Sequence, residues 1–265
     1  IGSEGTLAVI TKIVFKLIPL PTKDITMLVP FNSAEKACEA VSAVFRAGIT
    51  PSALEFIERD AIDFTLKHSD VEMSIPDAVQ AHLLVEVDGN DIDLLYKDCE
   101  LIAEVMEQFD CGEILLADSE SQKEQLWKLR RAVGEAVKAN SVYKEEDTVV
   151  PRAELAKLLT GVKEIGTKYG FKSVCYGHAG DGNLHVNIIK GEMSDSDWKN
   201  KLTFGIREIF ELTKNLGGTI SGEHGIGLVQ KEYLGIVLSD KNIELQKGIK
   251  KLFDPNLILN PGKIF

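Results

Sequence analysis

Ser173-Val-Cys-Tyr-Gly-His178-Ala-Gly-Asp-Gly-Asn183-Leu-His185-Val-Asn187-Ile-Ile189 reads as two β-rich runs, 173–178 and 184–189, folded about a turn rich in Gly, Asp and Asn. Helical periodicity flanks the pair, at 152–169 before it and 194–216 after it, with extended pieces at 147–151 and 218–221. The order is therefore strand, helix, strand, strand, helix, strand, the ferredoxin-like split βαβ arrangement.

The same order is expected ahead of it. Residues 25–30 read as a strand, and Asn32 with Glu35 makes a capping-box-like start to a helix whose Ala37, Val41, Val44 and Phe45 share a face until Gly48 closes it. After an unassigned stretch at 52–68 come a strand at 82–87, a helix at 91–109 and a strand at 113–117, and a helix at 119–140 joins the halves. Leu7–Leu20, β-branched and alternating, reads as a further strand ended by Pro19 and Pro21. The expected fold class is α+β: two ferredoxin-like split βαβ halves giving an antiparallel sheet covered by helices on one side. No sequence identity is apparent between the halves, so the repeat is one of architecture.

A chain of 265 residues can bury a sizeable core, and its net charge of −11 argues against nucleic acid or an anionic membrane surface as the main partner. A locally basic pocket for a small acid is compatible with it. The apolar stretch at 6–20 is broken by Lys12 and Lys16 and is too short for a membrane span. The four cysteines show no C-x-x-C spacing, so they read as buried free thiols rather than a zinc knuckle or redox dithiol. The start at Ile1-Gly-Ser, without a signal peptide, reads as a piece of a longer protein, and a cytoplasmic location is expected.

Three of the five histidines lie in the quoted hairpin and in Ser221-Gly-Glu-His-Gly-Ile-Gly227. In a hairpin about the glycine turn, His178 and His185 flank the turn, and directly opposed residues have Cβ atoms about 5 Å apart. Two imidazoles so placed can share one metal, with nitrogen–metal distances of about 2.0–2.1 Å for zinc. Glu223 would complete a two-histidine, one-carboxylate set with open positions, catalytic rather than structural in character. Gly222 and Gly225 permit a bend that brings Glu223 and His224 to one cavity. Spacing alone supports equally a second reading: hydrogen-bonded packing histidines and a solvated turn.

These segments, with Ile1-Gly-Ser-Glu-Gly-Thr-Leu-Ala-Val-Ile-Thr11, Leu126-Trp127-Lys-Leu-Arg130 and Phe253-Asp-Pro-Asn-Leu-Ile-Leu-Asn260-Pro-Gly-Lys263, resemble the C-terminal half of the FAD-linked oxidoreductases of D-2-hydroxy acids. That family includes the glycolate oxidase flavoprotein subunit, D-lactate dehydrogenase and D-2-hydroxyglutarate dehydrogenase. The matches run end to end and in order. The resemblance implies His178, His185 and Glu223 as ligands of a divalent metal, Zn2+ foremost, and His224 as the base that takes the hydroxyl proton while C2 passes a hydride to FAD. It implies Arg130 as the substrate-carboxylate anchor; Asn187, two residues beyond His185 and so on the same strand face, can orient substrate, and Trp127 reads as helix packing.

The resemblance further implies that residues 1–21 close an FAD-binding domain, that 22–265 form the substrate and metal domain, and that the tail at 253–265 returns toward the former. Gly2, Ser3, Glu4, Gly5 and Asn260 would then approach the flavin, with Lys263 nearby. The flavin pyrophosphate loop of the family lies upstream of Ile1, so this chain alone is expected neither to hold FAD firmly nor to turn over, and the FAD-binding domain is an expected partner. An electron-transfer partner or quinone, a homodimer and a peripheral membrane association are admitted. By direct count Glu145 stands where the dicarboxylate branch carries a lysine. An acid there repels a second carboxylate, which favours lactate or glycolate over 2-hydroxyglutarate, with Lys144 able to restore the contact through a one-residue shift. Two other functions stay open: a stand-alone metallohydrolase using the same ligands, and a non-catalytic module that docks an electron-transfer partner.

Overall fold

A computed structural model describes residues 1–71 and 73–265. Its strands are β1 (Lys23–Phe31), β2 (Ala53–Glu58), β3 (Ala81–Gly89), β4 (Leu115–Leu116), β5 (Tyr143–Val149), β6 (Lys172–Gly177) and β7 (Asn183–Ile189). They form one sheet in the order β4-β1-β3-β2-β6-β7-β5, with every pairing antiparallel. The helices are α1 (Ala34–Arg46), α2 (Arg59–His68), α3 (Ile92–Glu107), α4 (Glu120–Asn140), α5 (Leu155–Tyr169), α6 (Asp195–Asn215), α7 (Leu234–Val237) and α8 (Asp240–Phe253). Among the described residues no helix is long and apolar enough to cross a membrane.

The ferredoxin-like expectation holds in both halves. The order β4-β1-β3-β2 is that of a split βαβ unit, and β5-β7-β6 repeats it, with bridges from Thr219 to Val149 and Ser221 to Asp147 at the place of the fourth strand. The halves meet through their second strands, where Phe56 pairs with Gly177 and Ile57 with Tyr176.

The helices do not all lie on one side. One face of the sheet packs Met27, Phe56, Leu83 and Val186 with residues of α1, α3, α5 and α6. The other packs Ile57, Val174 and Tyr176 with α2 and α4, and Leu28 and Leu84 with Leu126 of α4. The reason is in the strands: β1 and β3 are apolar at consecutive positions, so both faces must be covered. Leu126, Leu129, Val133 and Val137 give α4 its buried stripe.

Four local expectations are corrected. Residues 7–20 form no strand: they find no ladder partner among the described residues, and every side chain from Ala8 to Leu20 is exposed. The α1 cap is Ser33, one residue later than read, its Oγ accepting from the Lys36 N–H at 3.2 Å. The stretch at 52–68 resolves into β2 and α2. Strand β5 begins at Tyr143, four residues before the expected extended piece, which brings Lys144, Glu145 and Glu146 into the ladder with β7.

Candidate active site

The site forms where β7, the turn after β6 and the loop after α6 meet on the face covered by α4. Strand parity sorts the residues. Leu184, Val186 and Ile188 point into the core under α5 and α6, so His185 and Asn187 point the other way, and their register partners Asp147 and Glu145 share that face. The β6–β7 ladder pairs Tyr176, not His178, with His185. His178 lies one residue past the end of β6, where a 3-10 turn at Ala179–Asp181 carries it alongside, and the two imidazole centroids are 5.8 Å apart. Gly182 closes this turn at φ +77°, and any Cβ there would collide with the Val150 carbonyl.

Glu223 and His224 arrive on a loop held by one buried carboxylate. Asp147 Oδ2 accepts the backbone N–H groups of Gly222 at 2.9 Å and of Glu223 and His224 at 2.8 Å, while Oδ1 takes Asn183 Nδ2 at 2.6 Å. Three successive amides turned to one oxygen give the bend that the flanking glycines permit. Burial alone would raise the Asp147 carboxyl, but these donors outweigh it and hold it below its ordinary value.

Donor atoms of His178, His185 and Glu223 lie within 4.8 Å of one another. Glu223 Oε1 is 3.5 Å from His185 Nε2, 3.8 Å from His178 Nε2 and 3.7 Å from His224 Nε2. His224 stacks on His185 with ring centroids 5.2 Å apart and is half exposed. His185 is buried, and desolvation lowers its pKa to about 4, which keeps the imidazole neutral as a metal ligand must be.

Glu55, on β2, was not singled out from sequence. It accepts from His178 Nδ1 at 2.7 Å through one oxygen and from Arg130 Nε at 2.8 Å through the other. Burial pushes its carboxyl up, but the histidine and guanidinium prevail and hold it below the ordinary range, while the same hydrogen bond raises His178. A strand reading Ala-Leu-Glu-Phe-Ile-Glu carried the one available signal, an acid between apolar residues. Arg130 occupies the buried stripe of α4, its guanidinium 4.9 Å from the Tyr176 ring centroid. Its Nη atoms make no hydrogen bond among the described residues. Neighbouring Arg131 is exposed and paired with Glu124.

Asn187 is buried beside this cluster with its Nδ2 unpartnered among the described residues. Lys144 is not brought here. Its neighbours in the pleat put it on the opposite face, with Nζ 3.6 Å from Glu146 Oε1, and it is Glu145 that faces the histidines, 3.7 Å from His185 Nδ1. Trp127 packs on α4 and donates to Glu86 at 2.9 Å.

The N-terminal residues close the other side of the loop. Glu4 accepts the N–H groups of Ile226 and Gly227, each at 2.8 Å, and Asn260 Nδ2 donates to the Glu4 carbonyl. The Ile264 N–H reaches the Gly227 carbonyl at 2.8 Å, so the tail folds onto both segments. Gly2 and Glu4 line one cleft with Gly222 and Glu223, and Gly2 and Ser3 line a second with Lys250 and Phe265. A Cβ on Gly5 would lie 2.8 Å from Asn260 Nδ2, so only glycine leaves room for that side chain. Lys263 lines a groove with Asn260, Leu257 and Phe265.

Residues 20–264 match the family described as FAD linked oxidases, C-terminal domain. The chain belongs to this family. As an FAD-linked oxidase C-terminal domain it is 35% identical over its whole length to D-lactate dehydrogenase of Anaerostipes hadrus, covering 57% of that protein. It is 34% identical to glycolate oxidase subunit GlcD of Bacillus subtilis and 32% to D-2-hydroxyglutarate dehydrogenase of Xanthomonas citri pv. viticola, covering all of this chain and 56% of each. The chain thus spans a little over half the length of these relatives. Among solved structures, p-cresol methylhydroxylase superposes with a TM-score of 0.67 at 14% identity, over 94% of this chain and 54% of that one, a likeness of fold.

Proposed function

We propose that this chain is the substrate- and metal-binding part of an FAD-dependent dehydrogenase of small D-2-hydroxy acids, with lactate or glycolate preferred. The convergence of His178, His185 and Glu223 within 4.8 Å carries this reading. The donor set suits a divalent ion such as Zn2+: two imidazoles and one carboxylate, with open positions for substrate. Glu55 fits it further, because a carboxylate on His178 Nδ1 holds the proton there and leaves Nε2 to bind. Bound there, the ion would supply Lewis acidity toward the substrate oxygens.

This chain's own residues then divide the work. Arg130 offers its Nη fork to the substrate carboxylate while Glu55 fixes its Nε. His224, half exposed at the mouth, takes the hydroxyl proton and can pass it to water. Asn187 orients the substrate with its Nδ2, unpartnered among the described residues. FAD, held by the rest of the protein, would accept the hydride leaving C2.

Glu145 supports the monocarboxylate preference, since its carboxylate stands beside the proposed ligands, 3.7 Å from His185 Nδ1, and would repel a second substrate carboxylate brought near it. Residues 1–21 are assigned to the FAD-binding domain, and the exposed apolar run of Val9, Ile10, Ile13, Val14, Phe15, Leu17, Ile18 and Leu20 supports that boundary. The test is flavin reduction by the full-length protein with D-lactate, glycolate and D-2-hydroxyglutarate, before and after chelation. The expected result is fastest reduction by a monocarboxylate, abolished by chelator. Preference for 2-hydroxyglutarate would overturn the substrate class, and indifference to metal removal would overturn the metal.

A further inference from the structure

Resting on the metal reading above, we propose that Glu145 is a positioning residue for His185, holding its Nδ1 proton as Glu55 holds that of His178. His185 is 4% exposed, and its Nδ1 is buried without a hydrogen-bond partner among the described residues. The ring points its Nε2 toward Glu223 at 3.5 Å, so binding through Nε2 places the proton on Nδ1. A buried N–H with no acceptor is costly, and the site must supply one.

Two carboxylates stand near that nitrogen. Asp147 Oδ1 is 3.9 Å away but already takes Asn183 Nδ2, and its Oδ2 is committed to the 222–224 backbone. Glu145 Oε1 is 3.7 Å away, and its carboxylate accepts no hydrogen bond among the described residues. Its side chain is 30% exposed and so has room to move, and an advance of about 1 Å closes a normal hydrogen bond. Glu55 on β2 and Glu145 on β5 then flank the β6–β7 hairpin from both sides, each fixing one histidine.

The competing arrangement uses Glu145 as a ligand. Donor atoms of Glu145, His185 and His224 also lie within 4.8 Å of one another. Alongside an ion held by His178, His185 Nε2 and Glu223, it requires His185 to serve a second ion through Nδ1, the nitrogen that lies 3.7 Å from Glu145.

The test is Co2+ titration of metal-free full-length protein, following binding and the visible absorption of the bound ion. Glu145→Ala should bind Co2+ about 10–100-fold more weakly with an altered spectrum, while Glu145→Gln, which keeps an acceptor oxygen, recovers most of the affinity. Thermal unfolding of the metal-free proteins should be the same for all three, separating positioning from folding. Wild-type binding that Glu145→Ala leaves unchanged in affinity and spectrum overturns this inference alone. Two equivalents in wild type falling to one in Glu145→Ala overturns it in favour of a second ion. Wild-type binding no tighter than that of His185→Ala overturns the metal reading, and this inference with it.

Discussion

Glu55 and His178 are joined at 2.7 Å, and because the second oxygen of Glu55 holds Arg130 at 2.8 Å, one buried carboxylate fixes both a proposed metal ligand and the proposed substrate anchor. Removing one partner of a buried ion pair leaves the other charge uncompensated, at a cost of about 3–5 kcal/mol. Glu55→Leu should therefore destabilise the protein by that order, measured by denaturant unfolding. Adding Arg130→Met should restore part of the loss by removing the stranded guanidinium. A double variant less stable than the single one would contradict the pairing.

Asp147 makes a second prediction, because one oxygen gathers three consecutive backbone donors. Asp147→Ala should free the amides of Gly222, Glu223 and His224 and destabilise the fold by about 2–4 kcal/mol, the range for losing charge-assisted hydrogen bonds at a buried acceptor. Hydrogen exchange reads it directly: protection at 222–224 should fall while that of β7 is retained. Unchanged exchange at those amides would show that the loop holds its bend without the carboxylate.

The sequence made the strand and helix order readable because the apolar runs are long and the turns carry glycine, so β6, β7, α4 and α6 lie within a few residues of expectation. Glycine framing marked His178, His185 and Glu223 as candidates, but spacing alone left a packing reading equally open, and it was the family resemblance that joined them as a set. Glu55 and Asp147 were not legible in these roles, since their partners lie 123 and 75–77 residues away in sequence and all three of Asp147's loop targets, Gly222, Glu223 and His224, are reached as backbone amides. The choice between Lys144 and Glu145 depended on pleat parity, which only the β5–β7 register decides. The exposed 7–20 segment looked like a strand because composition reports a side chain's preference, whereas a strand also needs a neighbour to pair with.

His82, 2% exposed on β3, gives a pH dependence away from the site. Burial, with the Arg59 charge adding to it, lowers its pKa from 6.5 to about 4. Above pH 6.5 it is neutral in both states and its contribution to stability is intact. As pH falls from 6.5 toward 4 the unfolded chain takes up a proton that the fold refuses, so stability declines by about 1.4 kcal/mol per pH unit. Between pH 7 and 5 the share of this histidine should reach about 2 kcal/mol, so the loss measured on His82→Leu should be smaller than that of the unaltered protein by that amount. Parallel stability profiles for the two proteins would rule this histidine out as the source.

Gly225 and Glu4 supply the last prediction, since they tie the N-terminal segment to the loop that carries Glu223. Gly225 has φ +85°, and a Cβ there would lie 2.8 Å from Glu4 Cδ. Gly225→Ala must therefore both adopt a left-handed backbone, at about 1–2 kcal/mol, and push away the carboxylate that caps Ile226 and Gly227. Glu4→Ala removes the cap without the backbone strain. Both variants should lose amide protection at 226 and 227, but Gly225→Ala should be the less stable by about the left-handed penalty. Equal stability would show that the loop relaxes around the new methyl group, and retained protection in Glu4→Ala would show that other acceptors hold those amides.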